Sequence, residues 1–191
     1  MNKVLKYLTM YDIFVLGGFG LITPIFSIYI NDEIIGGSIF TAGVATTIYT
    51  LTKALVQIPT SRYTDREDGN KREFNVLLIG SFLVAIVPVL YIITDDILEI
   101  YFIQLLLGLG GGLSYPGWMT IFSRFIEKGK EGYCWSLYDT IATFSVAFTA
   151  MVGAYIAQEF GFKIVFYLLS VLVLFSVVLV LMMHKHISTK E

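Results

Sequence analysis

The chain has 191 residues, of which 56% are hydrophobic and only 15% are charged. An ordinary soluble domain is less apolar than this, so the composition indicates an integral membrane protein that lies in the lipid bilayer. A formal net charge of −2 gives no support for a nucleic-acid partner. Cys134 is the single cysteine, which excludes both a disulfide framework and a cysteine metal site.

Six apolar segments each approach or exceed the roughly 20 residues that cross a bilayer as a helix. They are predicted at residues 8–30, 38–58, 74–93, 97–125, 133–158 and 163–183. The first segment is long and no small-residue cleavage site follows it, so we interpret it as a retained span rather than a signal peptide. The connections are short, so neighbouring helices are expected to be antiparallel. We predict one six-helix transmembrane domain over residues 1–191.

The longest polar stretch before the C-terminal tail covers residues 59–73, PTSRYTDREDGNKRE. It carries eight of the charged side chains and lies between the second and third apolar segments. Unpaired polar groups are excluded from the hydrocarbon region, so this stretch is predicted to be a loop in water.

The positions of the cations predict the orientation, because Lys and Arg in short loops stay on the cytoplasmic side. One side of the six-span topology holds nearly all of them, whereas the other side holds Lys163 among six acidic residues. We therefore expect a cell (plasma or inner) membrane protein with both termini in the cytoplasm. The cations on the predicted cytoplasmic side are Lys3, Lys6, Arg62, Arg66, Lys71, Arg72, Arg124, Lys128, Lys130, Lys185 and Lys190.

An internal repeat becomes visible when the chain is compared with itself at an offset of 92 residues, the separation of Gly18 from Gly110. The offset maps spans one to three onto spans four to six, and three spans are an odd number, so the copies must be inverted. We predict repeats over about residues 8–93 and 97–183. The shared GxGLxxP pattern predicts close helix packing and a break near mid-membrane, although packing glycines and a kink without any ligand role would give the same pattern. The matching sets are Gly18, Gly20, Leu21 and Pro24 with Gly110, Gly112, Leu113 and Pro116, and Gly69, Lys71, Phe74 and Leu77 with Gly161, Lys163, Phe166 and Leu169.

Three segments together resemble the N-terminal six-helix half of the major facilitator superfamily. SRYTDREDGNKR is similar to the family's GxxxDRxGRR loop between spans two and three, with one extra residue before the glycine and serine in place of the first glycine. QLLLGLGGGLSYP resembles its fourth span, and GAYIAQEFGFKIVF the end of its fifth span. The resemblance implies an all-α membrane fold and a secondary transporter without a cofactor. The loop positions that match are Ser61, Asp65, Arg66, Gly69, Lys71 and Arg72.

Departures from the family pattern narrow this expectation. Gln104 stands where proton-coupled drug antiporters of the family carry an arginine, and residues 149–154 lack their GPxxGG motif. Drug–proton antiport is therefore not expected. Family members usually join two six-helix halves in one chain, whereas this chain matches one. We predict a homodimer with its cavity at the interface, and pairing with a different half, or a fragment of a longer chain, stays open.

Charged residues inside the apolar segments are candidates for gating, because such charges usually face a cavity or a partner. Lys53 and Asp139 lie at similar depths, and the resemblance implies that span two of one half faces span five of the other. We therefore predict that Lys53 of one subunit approaches Asp139 of its partner. Snorkelling of Lys53 and helix capping by Asp139 are the alternatives. Asp12 is interpreted as a cap or dipole partner near the start of span one.

The resemblance also implies a latch at the cytoplasmic end. Asp65 is expected to meet the end of the partner's fifth span, with Arg66 and Arg124 completing a charge network. The alternative is that these cations only anchor the loop on the cytoplasmic side.

A small-molecule solute is the expected partner in the cavity, which the resemblance places along spans one and four. The absence of a charged cluster at mid-membrane favours a neutral, amphipathic or aromatic solute. We expect no enzyme, because no histidine lies in any predicted span and HExxH is absent. A non-transporting membrane subunit remains the alternative function. The predicted cavity residues are Thr23, Phe26, Gln104, Tyr115 and Trp118.

Overall fold

The computed structural model describes residues 2–65 and 70–187, and the fold of these residues is all-helical. Six segments within them are long and apolar enough to span a membrane, as predicted. The helices extend beyond the predicted apolar segments, mostly by a few polar residues at their ends. Their bounds are α1 Lys3–Gly20, α2 Phe26–Glu33, α3 Ile39–Thr64, α4 Lys71–Ile93, α5 Ile97–Phe125, α6 Glu131–Phe160 and α7 Phe162–Ile187.

The first span is interrupted where the sequence predicts a break. Helix α1 ends at Gly20, a 3-10 turn covers Thr23–Ile25 and includes Pro24, and α2 completes the span. Proline has no N–H to donate, and the Thr23 hydroxyl donates to the Phe19 carbonyl at 2.7 Å.

The corresponding break in the fourth span is absent, so this part of the prediction is wrong. Helix α5 continues through Pro116. Around this proline, α5 contacts α3 at Gly112 and α4 at Gly117.

The prediction that residues 59–73 form a loop in water is also wrong at both ends. Helix α3 continues through Pro59 to Thr64, and α4 already begins at Lys71. Glu73 is fully buried. The polar composition is that of helix ends which extend past the apolar spans, and residues 66–69 of the stretch lie outside the described residues.

The packing of the helices follows the internal offset. Helix α5 packs mainly against α3 and α4, and α1 packs in the same way against α6 and α7, while α4 packs against α7. The first span consists of α1 and α2, and spans two to six are α3 to α7 in order. Exchanging span one with four, two with five and three with six reproduces these pairs.

The repeated glycines make equivalent contacts in the two halves. Gly18 faces Leu169 of α7, whereas Gly110 faces Gly80 of α4. Gly20 lies against Thr149 of α6, and Gly112 against Val56 of α3. In lipid, small residues of this kind allow the backbones of neighbouring helices to approach closely, and they hold both halves together in this structure.

The two ends of the bundle are distinct. One, which we call the terminal end, holds Asn2 and Ile187 together with the end of α5 and the start of α4. At the opposite end, Ile35 joins two connections, because its N–H donates to the Asp95 carbonyl at 2.7 Å and its carbonyl accepts from Ile97 at 3.2 Å.

Gly80→Ala is predicted to destabilise the fold by about 1–3 kcal/mol, because the added methyl group overpacks the α4–α5 contact. It would lie 2.5 Å from the Gly110 carbonyl oxygen. Gly43→Ala is the matched control, since nothing lies within 4 Å of its added methyl group. Thermal unfolding of the two detergent-purified variants should separate them. Equal melting temperatures would contradict the role assigned to Gly80.

Candidate solute cavity

A cavity of about 480 Å³ lies inside the bundle. Helices α1 to α5 supply nearly all of its walls, and Val146 of α6 completes them. Its volume is in the range of sites that enclose small organic ligands, which are usually apolar with a few polar groups.

The structure places all five predicted cavity residues on this wall, and whether they bind a solute stays a prediction. Gln104 and Trp118 are buried, Phe26 is half-buried, and Thr23 and Tyr115 are more exposed. Thr23 and Phe26 lie at the interruption of the first span, whereas the other three lie on α5.

Aromatic side chains gather at both ends of the cavity. Towards the terminal end, Trp118 packs on Tyr138 with ring centroids 4.8 Å apart, and its indole N–H donates to the Leu8 carbonyl at 3.3 Å. Towards the opposite end, the Tyr29 hydroxyl donates to the Tyr91 carbonyl at 3.3 Å. Of these residues, Trp118 and Tyr91 line the cavity itself.

Asp12 is a cavity residue and not a helix cap, which corrects its interpretation. Helix α1 begins at Lys3 and is capped by Asn2, whose side chain accepts from the Val4 N–H at 3.2 Å. Asp12 therefore lies more than two turns inside the helix, where it faces the cavity and is 9% exposed. Its carboxylate accepts a hydrogen bond of 2.7 Å from the Tyr138 hydroxyl of α6. The sequence offered one signal for this role, namely a carboxylate inside an apolar segment.

Lys53 of α3 also lines the cavity. Its ammonium lies 5.2 Å from the ring centre of Tyr115 and 6.0 Å from that of Tyr49. These distances are in the range of cation–π contacts. Asp139 is predicted to meet Lys53 of another subunit. Within one chain it is exposed on α6 and lies outside the cavity wall.

The remaining predicted residues lie at the terminal end. Ser61 donates to the Gln57 carbonyl at 2.9 Å within its own helix, and Asp65 is exposed at the end of α3. Lys71 is exposed at the start of α4, and the Arg72 guanidinium lies 5.3 Å from the Tyr63 ring centre. Arg66 and Gly69 lie outside the described residues.

Arg124 forms an ion pair that the sequence analysis missed. Its guanidinium lies 2.7 Å from the fully buried carboxylate of Glu73 and donates to Asn70 at 3.2 Å. The pair joins the end of α5 to the start of α4. From the sequence, Glu73 is predicted to lie in a loop exposed to water, so only the tertiary structure shows that it is buried beside Arg124.

A second ion pair nearby is exposed. Lys130 contacts Glu127 in the connection between α5 and α6. The hydrogen bond from the lysine, and its charge, hold the pKa of Glu127 below its usual range. Exposed pairs of this kind contribute little to stability.

The profile of the Major Facilitator Superfamily matches residues 12–190. The chain belongs to this superfamily. The resemblance inferred from the loop and the fourth and fifth spans is thereby confirmed, and with the six spans it makes the chain an integral membrane protein of a transporter family.

Named relatives agree with this assignment. The chain is 28% identical over 157 residues to YitZ, an uncharacterised MFS-type transporter of Bacillus subtilis (strain 168), covering 82% of this chain and 92% of the relative. It is 28% identical over 185 residues to an uncharacterised transporter of Buchnera aphidicola subsp. Schizaphis graminum (strain Sg), covering 94% of this chain and 44% of the relative.

A solved structure shows the same fold. The POT family transporter PepTSo, crystallised in meso, superposes with a TM-score of 0.76 at 14% identity, over 97% of this chain and 38% of that chain. The chain thus spans less than half of this transporter and of the Buchnera relative, but nearly all of the Bacillus relative.

Arg124→Gln is predicted to destabilise the protein, because it leaves the buried Glu73 carboxylate without its cation. The loss should be at most about 3 kcal/mol, since the guanidinium is 38% exposed. A double-mutant cycle with Glu73→Gln, followed by thermal unfolding, measures the coupling. Lys130→Gln, in the exposed pair, is the control and should have little effect. Additive losses in the cycle would show that the Glu73–Arg124 pair is not coupled.

Proposed function

We propose that the chain forms half of a secondary transporter that moves a small solute by alternating access. The observation that carries this proposal is the cavity inside a bundle of the superfamily fold. Its walls come from both halves of the chain, and one wall contains the interrupted first span. A discontinuous helix at a midplane site is a recurrent feature of secondary transporters.

The proposal includes two inverted repeats, over about residues 8–93 and 97–183. Two observations support it, namely the matching helix pairs and the equivalent contacts of Gly18 with Gly110 and of Gly20 with Gly112. Two bundles built from such repeats can rock about a shared midplane site, so that the cavity opens alternately to either side.

The second half of the transporter is proposed to be another copy of the same chain. Helices α3 and α6 are the least buried spans, with 11% of their most apolar stretch buried against 39–50% for the other four. Helix α6 also carries Asp139, an exposed carboxylate about 12 Å from the start of the helix. A carboxylate at this depth is costly in lipid and calls for a partner.

Lys53 of the second copy is the proposed partner of Asp139. Lys53 lies about 16 Å before the end of α3. With both termini in the cytoplasm of a plasma or inner membrane, as we propose, two parallel copies would bring these depths close together. Asp65 is proposed to contact the start of α6 of the second copy and so to close the terminal end.

Other arrangements remain as alternatives. The chain spans 44% of the Buchnera relative, so its partner could be a different six-helix half, within a longer chain or separate from it. A non-transporting membrane subunit is the second functional alternative. Uptake of a solute library by proteoliposomes, with protein-free liposomes as the control, separates transport from this role.

Lys53→Cys and Asp139→Cys are predicted to cross-link between two copies. Each change is made in a Cys134→Ser background on a separately tagged chain, and the chains are co-expressed. A heterotypic disulfide dimer should form in the mixture, because only that pairing brings the two cysteines together. Tyr167→Cys replaces Asp139→Cys as the control, since Tyr167 is exposed on α7. Stable monomers in native mass spectrometry, together with no cross-link, would overturn the homodimer.

Asp65→Asn is predicted to open the terminal end, because the proposed latch loses its charge. A cysteine placed by Tyr115→Cys in the Cys134→Ser background should then react several-fold faster with a membrane-impermeant maleimide applied from that side. Asp32→Asn is the matched control, an exposed carboxylate at the opposite end. An unchanged labelling rate would leave Asp65 with no role in closure.

A further inference from the structure

Two side chains of opposite charge line the cavity without forming an ion pair with each other. Asp12 approaches from α1 and Lys53 from α3. Both line the same cavity, and no ion pair joins them within the described part of the chain. A carboxyl group on one wall and an ammonium on another therefore face the same space.

Lys53 has no anionic partner among the described residues of its own chain. Among the described residues its ammonium makes no hydrogen bond or ion pair. Its cation–π contacts are with the rings of Tyr115 and Tyr49. Aromatic faces stabilise a cation only partly, and they leave its three N–H donors unused. An ammonium inside a membrane protein normally pairs or marks a ligand path.

Asp12 is only partly satisfied. One oxygen of its carboxylate accepts from Tyr138, and this is its one hydrogen bond within residues 2–65 and 70–187. An ionised carboxylate can accept several hydrogen bonds. The tyrosine holds the group in place and leaves acceptor capacity facing the cavity.

We propose that the cavity binds a small zwitterion, whose anionic group pairs with Lys53 and whose ammonium pairs with Asp12. This inference deepens the proposed function and rests on its assignment of the cavity as the solute site. It concerns the conformation in which Lys53 faces the cavity rather than Asp139 of the second copy. The apolar part of the solute lies against the rings of Tyr11, Phe26, Tyr91 and Trp118, which line the same space.

The charge balance selects a zwitterion over other solutes. A solute with one charge would satisfy one wall and leave the other side chain uncompensated in a low-dielectric site. A neutral solute would displace water from both charges and replace neither interaction. A zwitterion has no net charge, which agrees with the neutral, amphipathic solute expected from the sequence, but it carries two ionic groups that the sequence analysis did not anticipate.

The test compares four charge forms of one molecular body. Leucine, phenylalanine and tryptophan are each used as the free amino acid, the N-acetyl acid, the amide and the N-acetyl amide. Binding to the full chain in nanodiscs is measured by competition and by thermal shift. The free amino acid of at least one series should bind about tenfold more tightly than either singly charged form, the factor expected for one charged hydrogen bond.

Two variants assign each charge to its side chain. Lys53→Gln should remove the preference for the free acid over the amide and keep the preference for the free amine over its N-acetyl form. Asp12→Asn should do the reverse. A general loss of folding would weaken all four forms together, so this crossed pattern identifies direct recognition. Lys163→Gln and Asp95→Asn are the matched controls, since both residues are exposed and lie outside the cavity wall.

Several outcomes would overturn the inference. Two concern the wild-type chain, namely equal binding of the four forms and tightest binding of a singly charged or neutral form. A third is no binding of any free amino acid at 10 mM, roughly the weakest affinity measurable (about 3 kcal/mol). The fourth is a uniform loss of binding in both variants. Transport is measured separately. Crossed binding without uptake would keep this inference and contradict the transporter, whereas uptake that ignores the solute's charges would do the opposite.

Discussion

The close approach of α5 to α3 and α4 is the constraint on which the rest of this bundle depends. Lipid tails are as apolar as the side chains they contact, so the hydrophobic effect does not drive helices together in a bilayer, and small residues with tight packing must do so. Gly80 and Gly110 bring two backbones into contact, while Gly108 and Gly112 admit α3 on the other side. Helix α5 is continuous through Pro116, so that of the two spans with the repeated pattern only the first is interrupted.

The cavity follows from this asymmetry. The continuous helix α5 forms one wall of the cavity, and the interrupted first span forms another. Asp12 precedes the break in this span, and Thr23 lies at it. Tyr138 connects Asp12 to α6, so the position of this carboxylate depends on a helix from the second half of the chain. Lys53 reaches the same space along Gly111, where a larger residue would meet its methylene groups. The site is thus built by helices from both the first three and the last three spans.

The terminal end combines an internal constraint with a free surface. The Glu73–Arg124 pair connects α4 to α5 and stabilises the end of one half of the bundle, while Asp65 and Lys71 remain exposed beside it. Helices α3 and α6 present little-buried apolar faces. The bundle is thus better packed along α4, α5 and α7 than along α3 and α6.

The sequence by itself determined the fold class, the six spans, the superfamily and five side chains of the cavity wall, because the bilayer requires long apolar helices and the family motifs have fixed positions. It also indicated the interruption at Pro24, where proline removes a hydrogen-bond donor. Only the tertiary structure decided that Pro116 does not break α5, that Glu73 is buried beside Arg124, and that Asp12 and Lys53 face one space. These features depend on which helix faces which. Apolar segments in lipid carry almost no amphipathic pattern from which those faces could be inferred, so the contacts between distant residues had to be seen in three dimensions.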